Sequence, residues 1–265
     1  MAFVDGEKLP PNPLLVTFDD GYRDNVDFVL PELVRAQLAA TFFVATDYLT
    51  KRKVFWWDLV AYLVKSTTKP RIEMNYPRHL QLDLTEREKV LAVLLAVIKT
   101  TFALDLNRFL AELADTCAVA WGDAEDEQFA HSHLMTWDDV RTLKQANMTI
   151  GSHTRSHRVL QTLPQSALDD ELSGSRDDLV RELGEAPLAI AYPTGKPIYD
   201  DAGLRAAVTG AGYRLGFSYK TGAMPLWQEF DALNVRRLAV DLGQSGACFR
   251  GTLALPFLSA TRRQR

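Results

Sequence analysis

Short apolar strands that alternate with amphipathic helices, and that stop at clusters of polar residues, predict an α/β protein built on parallel strands. The apolar run at 14–18 halts at Asp19-Asp20-Gly21, the pattern of a buried strand ending in an acidic turn. Residues 25–38 place Val26, Val29, Leu30, Leu33, Val34 and Leu38 at helical spacing, and Ala40-Thr41-Phe42-Phe43-Val44-Ala45 is again strand-like. Strand, helix and strand within about thirty residues make a βαβ unit, whose strands run parallel.

From about residue 46 to 135 the period is mostly helical and no comparable strand is expected. One domain spanning 1–265, with a helical insertion at about 46–135, is the simplest organisation. Within the insertion, 55–64 carries Trp56, Trp57, Leu59, Val60, Leu63 and Val64 on a packing stripe. A second helix opens at 84–88, where Thr85 and Glu88 fit a capping box, and runs to about 101; a third covers 106–116. The two indoles could serve as sugar platforms or simply as core. Alternation then resumes: Thr136 with Asp139 starts a helix, 148–150 is a strand, 165–183 a helix, 188–192 a strand, 200–211 a helix and 215–219 a strand. Residues 235–240 form a last strand. Each polar signature falls just past a strand's carboxyl end, where α/β barrels and open parallel sheets place their sites.

Composition narrows the function. With 47% hydrophobic and 24% charged residues the chain can bury a sizeable core. Thirty basic against 34 acidic residues leave a net charge of -4, too little cationic field for a nucleic-acid partner. Arg262, Arg263 and Arg265 read as a frayed tail. Cys117 and Cys248 lie in apolar stretches and read as core residues. The first residues hold no apolar stretch of signal-peptide length, and no segment approaches the roughly 20 apolar residues of a membrane span. As given, the chain is expected to be soluble and cytoplasmic, unless its N-terminus is truncated from an exported protein.

Three segments carry chemistry. At Thr17-Phe18-Asp19-Asp20-Gly21 two carboxylates close a strand, and the glycine turn lets both reach one cavity; a solvated acidic turn accounts for the same residues. In Ser152-His153-Thr154-Arg155-Ser156-His157 two imidazoles stand four apart, a spacing that can grip one cation. Asp20 would add a third ligand and leave positions open for water and substrate, as catalytic rather than structural metal sites do. Ala191-Tyr192-Pro193-Thr194-Gly195 follows another strand. It reads as an ordinary turn or as one whose backbone amide stabilises an oxyanion.

Together these segments resemble the polysaccharide deacetylase (NodB-homology) family of carbohydrate esterases, over 14–45 and about 136–240. The resemblance implies a deformed (β/α) barrel that removes acetyl groups, most readily N-acetyl, from an acetylated polysaccharide or oligosaccharide. It implies a divalent cation, zinc with cobalt, nickel or manganese as other occupants, on Asp20, His153 and His157, with Asp19 as general base. It also assigns the Tyr192 amide as an oxyanion donor within the turn containing Pro193 and Gly195. Two departures stand out. Ala191 occupies the place of the arginine that tethers the base, and Asn234-Val235-Arg236-Arg237-Leu238 replaces a late Leu-x-His, so no histidine follows His157. Protonation of the leaving group then falls to His131 or His133, which read as surface residues of a polar connection, or to Asp19 itself. A catalytically weak carbohydrate-binding or assembly protein that keeps the metal for structure is the competing reading.

Overall fold

A computed structural model describes residues 13–222, 230–240 and 243–255. Pro10, Pro11 and the terminal arginines lie outside the described residues. In chain order the elements are β1 (Val16–Phe18), α1 (Leu30–Ala36), β2 (Ala40–Val44), α2 (Thr46–Lys51), α3 (Trp56–Ser66), β3 (Arg71–Met74), β4 (Leu80–Asp83), α4 (Arg87–Thr100), α5 (Leu106–Cys117), α6 (Asp123–His133) and α7 (Trp137–Gln145). There follow β5 (Thr149–Ser152), α8 (Gln165–Asp169), α9 (Ser175–Leu183), β6 (Ala189–Ala191), α10 (Ala202–Gly210), β7 (Leu215–Thr221), β8 (Val235–Arg237) and α11 (Gly246–Ala254).

Six strands form one sheet in the order β1-β2-β5-β6-β7-β8, every neighbouring pair parallel. All five residues of β2 are buried, as a central strand covered on both faces must be. The sheet curls as a half-barrel, because Arg237 at the end of β8 reaches Thr17 and Asp19 beside β1, the opposite edge. On its outer side Leu30, Leu33, Val140, Leu143 and Leu179 of α1, α7 and α9 pack against Phe42 and Val44.

Residues 46–135 have their own apolar core, in which Leu59, Leu63, Leu94, Ile98, Phe109 and Leu113 of α3, α4 and α5 meet Ile72 and Met74 of an antiparallel β3–β4 hairpin. The hairpin corrects the expectation of a strandless region. Its alternating burial in Arg71–Met74 is a strand signal, but only four residues long. The capping box at Thr85 also fails: Asp83 accepts from the Thr85 amide, a short 3-10 turn intervenes, and α4 starts at Arg87. Helix α6 includes His131 and His133, both exposed, in place of the expected polar connection. Cys117 is buried as expected, but Cys248 is exposed on α11. The Thr136–Asp139 box forms in both directions.

The helical region is stitched to the end of β1. Tyr22 pairs with Leu134, the Met135 amide donates to the Gly21 carbonyl and the Arg23 amide to that of His133. No described helix is long and apolar enough to cross a membrane.

Candidate active site

The acidic turn after β1 is shaped by backbone before side chains. Asp20 has φ 75° and Gly21 φ 109°, both left-handed, a conformation that swings two consecutive carboxylates to one side of the strand end and costs a non-glycine residue roughly 1 kcal/mol or more. The Asp20 carbonyl accepts from the Ala45 amide at the end of β2, which holds the turn down. The histidine loop is made similarly. Thr154 and His157 have φ 65° and 55°, and the loop is pinned where His153 N donates to Val44 O and Thr46 N to Thr154 O.

Below the loop lies Glu171, whose carboxylate accepts from the Arg155 and Ser156 amides at 2.9 Å and from the Ser156 hydroxyl. Burial pushes its pKa up, more than these hydrogen bonds lower it. Asp178 accepts from Thr46 Oγ1 at 2.7 Å and pairs with Arg155 and Arg181 at 3.0 and 2.8 Å. Burial raises the Asp178 pKa, but those partners outweigh it and hold the carboxyl below the usual range.

Asp20, His153 and His157 converge: one ligand atom from each lies within 4.8 Å of the others. His153 Nε2 is 3.3 Å from Asp20 Oδ1, and His157 Nε2 is 3.5 Å from the same oxygen. His153 Nδ1 contacts the Ala191 carbonyl at 2.8 Å. A carbonyl only accepts, so Nδ1 carries a proton, and Nε2, the ring atom nearest Asp20, is the one a metal would take. Burial holds the His157 pKa well below normal, helped by the charges of His153 and Lys99. Its ring is therefore neutral, as a metal ligand must be, and its buried Nδ1 has no hydrogen-bond partner. Burial lowers the His153 pKa too, but the charge of Asp19 and contacts with Asp20 reverse it, and the net shift is upward. Two imidazoles and a carboxylate converging on one point suit a divalent cation of the zinc type.

Asp19 is only 10% exposed, and three groups hold it. Arg237 grips both its oxygens, Nη1 to Oδ1 at 2.7 Å and Nη2 to Oδ2 at 2.9 Å, while the Tyr219 hydroxyl donates to Oδ2 at 3.0 Å. The guanidinium itself lies 4.2 Å from the Tyr219 ring centroid. Burial raises the Asp19 pKa, but His153, Arg237 and Tyr219 together bring it below the ordinary value. The tether expected at position 191 is thus supplied from β8, where Arg237 occupies the segment that lacks the late histidine. β8 reads Val-Arg-Arg, so the sequence offered two adjacent arginines and nothing local that singled out Arg237. Ala191 is not idle, since its carbonyl orients His153.

The third segment corrects one assignment. The Tyr192 amide donates to Phe217 O within the sheet, and its hydroxyl to Leu233 O, so this buried residue has no free donor for an oxyanion. Pro193 opens a short 3-10 turn in which Thr194 is left-handed (φ 59°), and no hydrogen bond from the Thr194 amide is seen among the described residues. Gly195, φ 68°, cannot be larger: a Cβ there would stand 2.3 Å from Tyr219 Cβ. The glycine lets Tyr219 lie where it reaches Asp19.

Helix α3 builds the remaining wall. The Trp57 ring centroid is 4.4 Å from that of His157, and its Nε1 donates to Tyr22 Oη at 2.8 Å, which in turn donates to Asp58 at 2.7 Å. Trp56, buried, donates to the His157 carbonyl at 3.3 Å. Both indoles adjoin the site, with Trp56 closed off and Trp57 half-buried. Their sequence pattern favours core packing, which Trp56 fits and the half-buried Trp57 beside His157 only in part, and it gives no sign of Tyr22 or Asp58.

A curled parallel sheet that gathers a carboxylate and two imidazoles at its strand ends, beside a second, tethered carboxylate, offers a donor set that could hold a metal ion as hydrolases of this build do. The chain belongs to the polysaccharide deacetylase family, whose sequence model matches residues 6–75 and 98–216. It is 28% identical over 123 residues to the "Putative polysaccharide deacetylase YxkH" of Bacillus subtilis (strain 168), a match that spans 46% of this chain and 42% of that relative. The fold resembles that of Streptococcus pyogenes deacetylase PplD (TM-score 0.56, 18% identity, covering 95% of this chain and 75% of the other). It also resembles the BpsB deacetylase domain from Bordetella bronchiseptica (TM-score 0.51, 17% identity, 89% and 75%).

Proposed function

We propose that the protein removes acetyl groups, N-acetyl first of all, from an acetylated polysaccharide or oligosaccharide, with Asp20, His153 and His157 holding a divalent cation such as zinc. The convergence of these three side chains beside the tethered Asp19 carries the reading. Residues 46–135 are an elaboration inserted into a single deacetylase domain. When bound, the cation supplies Lewis-acid polarisation of the acyl oxygen and acidifies water.

Asp19 is the base that takes the proton of the attacking water, and Arg237 and Tyr219 fix its orientation. The Thr194 amide, in place of that of Tyr192, meets the oxyanion. As the C–N bond breaks, acetate and an amine leave. Asp19 returns its proton to the nitrogen, a transfer its low pKa favours. A site kept for structure alone gives no reason to hold an uncoordinated carboxylate with three partners.

Acetate release from chitooligosaccharide and partially acetylated glucan, with and without added Zn²⁺ or Co²⁺, tests the reading. Asp20→Ala should lose both metal and turnover, whereas Asp19→Asn should keep metal and lose about 10²–10⁴-fold in turnover. Near-full activity in Asp19→Asn would remove Asp19 as base.

A further inference from the structure

A groove leads away from the site. Its first stretch is a cavity of 590 Å³ with an apolar floor of Tyr219, Val159 and Pro197, bordered by Lys99, Lys196 and Lys220. A second cavity, 360 Å³, continues along α4 past Val97 to Arg78, and Thr100 borders both. The start of the groove is tied to the chemistry, since the Tyr219 ring is 47% exposed in it while its hydroxyl donates to Asp19. Most of its far wall, Pro77, Arg78, Val93, Ala96 and Val97, lies outside the stretches that the family model matches.

The groove gathers like charges on a chain whose net charge is -4. Outside it, Lys51, Lys89 and Lys144 pair with Asp47, Glu86 and Glu185, while Lys53, Lys65 and Lys69 have no carboxylate partner among the described residues. Among the described residues no carboxylate pairs with Lys99, Lys196, Lys220 or Arg78; Lys220 lies 4.6 Å over the Tyr199 ring. Four like charges along one concavity repel one another, and an anionic ligand relieves that repulsion. An apolar floor with a polar rim is the build of a site for sugar rings.

We propose that this groove binds the sugar units adjoining the one that is deacetylated, and that those units carry carboxylate or phosphate groups. The naming of the ligand as a glycan rests on the deacetylase reading; the cationic groove does not.

Binding to the metal-free protein, read by tryptophan fluorescence, separates the two. The probes are tetragalacturonate for carboxylate, a phosphorylated tetramannoside for phosphate, and neutral chitotetraose. At least one anionic probe should bind about tenfold or more tighter than chitotetraose, lose that margin in 0.5 M NaCl, and weaken about fivefold in each of Lys99→Met, Lys196→Met and Lys220→Met. Lys144→Met, on α7 at the outer side of the sheet, should bind like the parent. Which anionic probe prevails decides between carboxylate and phosphate. Equal binding of all three probes, or unchanged binding in all three groove variants, overturns the proposal. Because no turnover is read, that outcome is distinct from a failure to release acetate.

Discussion

At the carboxyl ends of β1 and β5 the Asp19 and His153 side chains are held by hydrogen bonds from Arg237 of β8 and to Ala191 of β6, whereas α3 offers His157 two indoles and a single N–H bond to its carbonyl. The sheet sets which atoms point inward. The helical region sets what surrounds them, closing one side of the site with Trp57 and one side of the groove with Lys99 and Thr100. The lesson is a division of labour: chemistry is fixed by strand ends, while shape and charge around it come from a region free to vary.

That division can be broken most sharply at Arg237. Arg237→Met should leave metal content unchanged but cut turnover about 100-fold, as loss of a supporting partner typically does. Arg237→Lys should recover little, since an ammonium cannot grip both oxygens. Metal analysis alongside steady-state kinetics checks this, and turnover within threefold of the parent would show that the sheet does not orient its base through β8. A smaller effect is expected from the helical side. Trp57→Ala should weaken metal binding about tenfold by baring the His157 ring, measured by competition with a chelator, while Trp57→Phe keeps the ring contact and stays near the parent.

The strand ends were the legible part. Asp19, Asp20, His153 and His157 were each readable because a polar pair at fixed spacing interrupts an apolar strand, and β5, β6 and β7 follow the alternation closely. Arg237 was not, because its partner lies on the opposite edge of the sheet and nothing local marks a contact made by curvature. Tyr192 was misassigned for a related reason: which amide a strand end leaves free depends on where β7 stops pairing, and the sequence of the turn does not say. The β3–β4 hairpin and α6 were missed because four alternating residues and a helix with only Ala124, Phe129 and Ala130 as apolar residues give weak periodic signals. Cys248 illustrates the limit of composition, since an apolar neighbourhood in sequence became an exposed helix.

Gly195→Ala sharpens the comparison within the sheet. Its Cβ displaces Tyr219 while Arg237 remains, so turnover should fall about tenfold with metal retained; an unchanged rate would mean that Tyr219 adds nothing to the arginine. The smallest effect falls where the two regions join, at Asp178, which ties Thr46 of α2 to Arg155 of the histidine loop. Asp178→Asn should cost about 1–2 kcal/mol at pH 7. Because the folded pKa of Asp178 is depressed, its contribution is present above the unfolded value and fades as pH falls below about 4. Urea midpoints should therefore differ from the parent at pH 7 and differ less at pH 3.

The clamp on Asp19 joins residues 218 positions apart, the first strand to the last. Contacts so distant in sequence close late, because the intervening chain must be ordered before two such ends can meet. Asp19 therefore reaches its held, acidic state only after the whole sheet has assembled. A chain still emerging, or one whose last strand has come loose, can bring Asp20, His153 and His157 together but leaves Asp19 without its arginine clamp. Competence for catalysis thus reports on the completeness of folding.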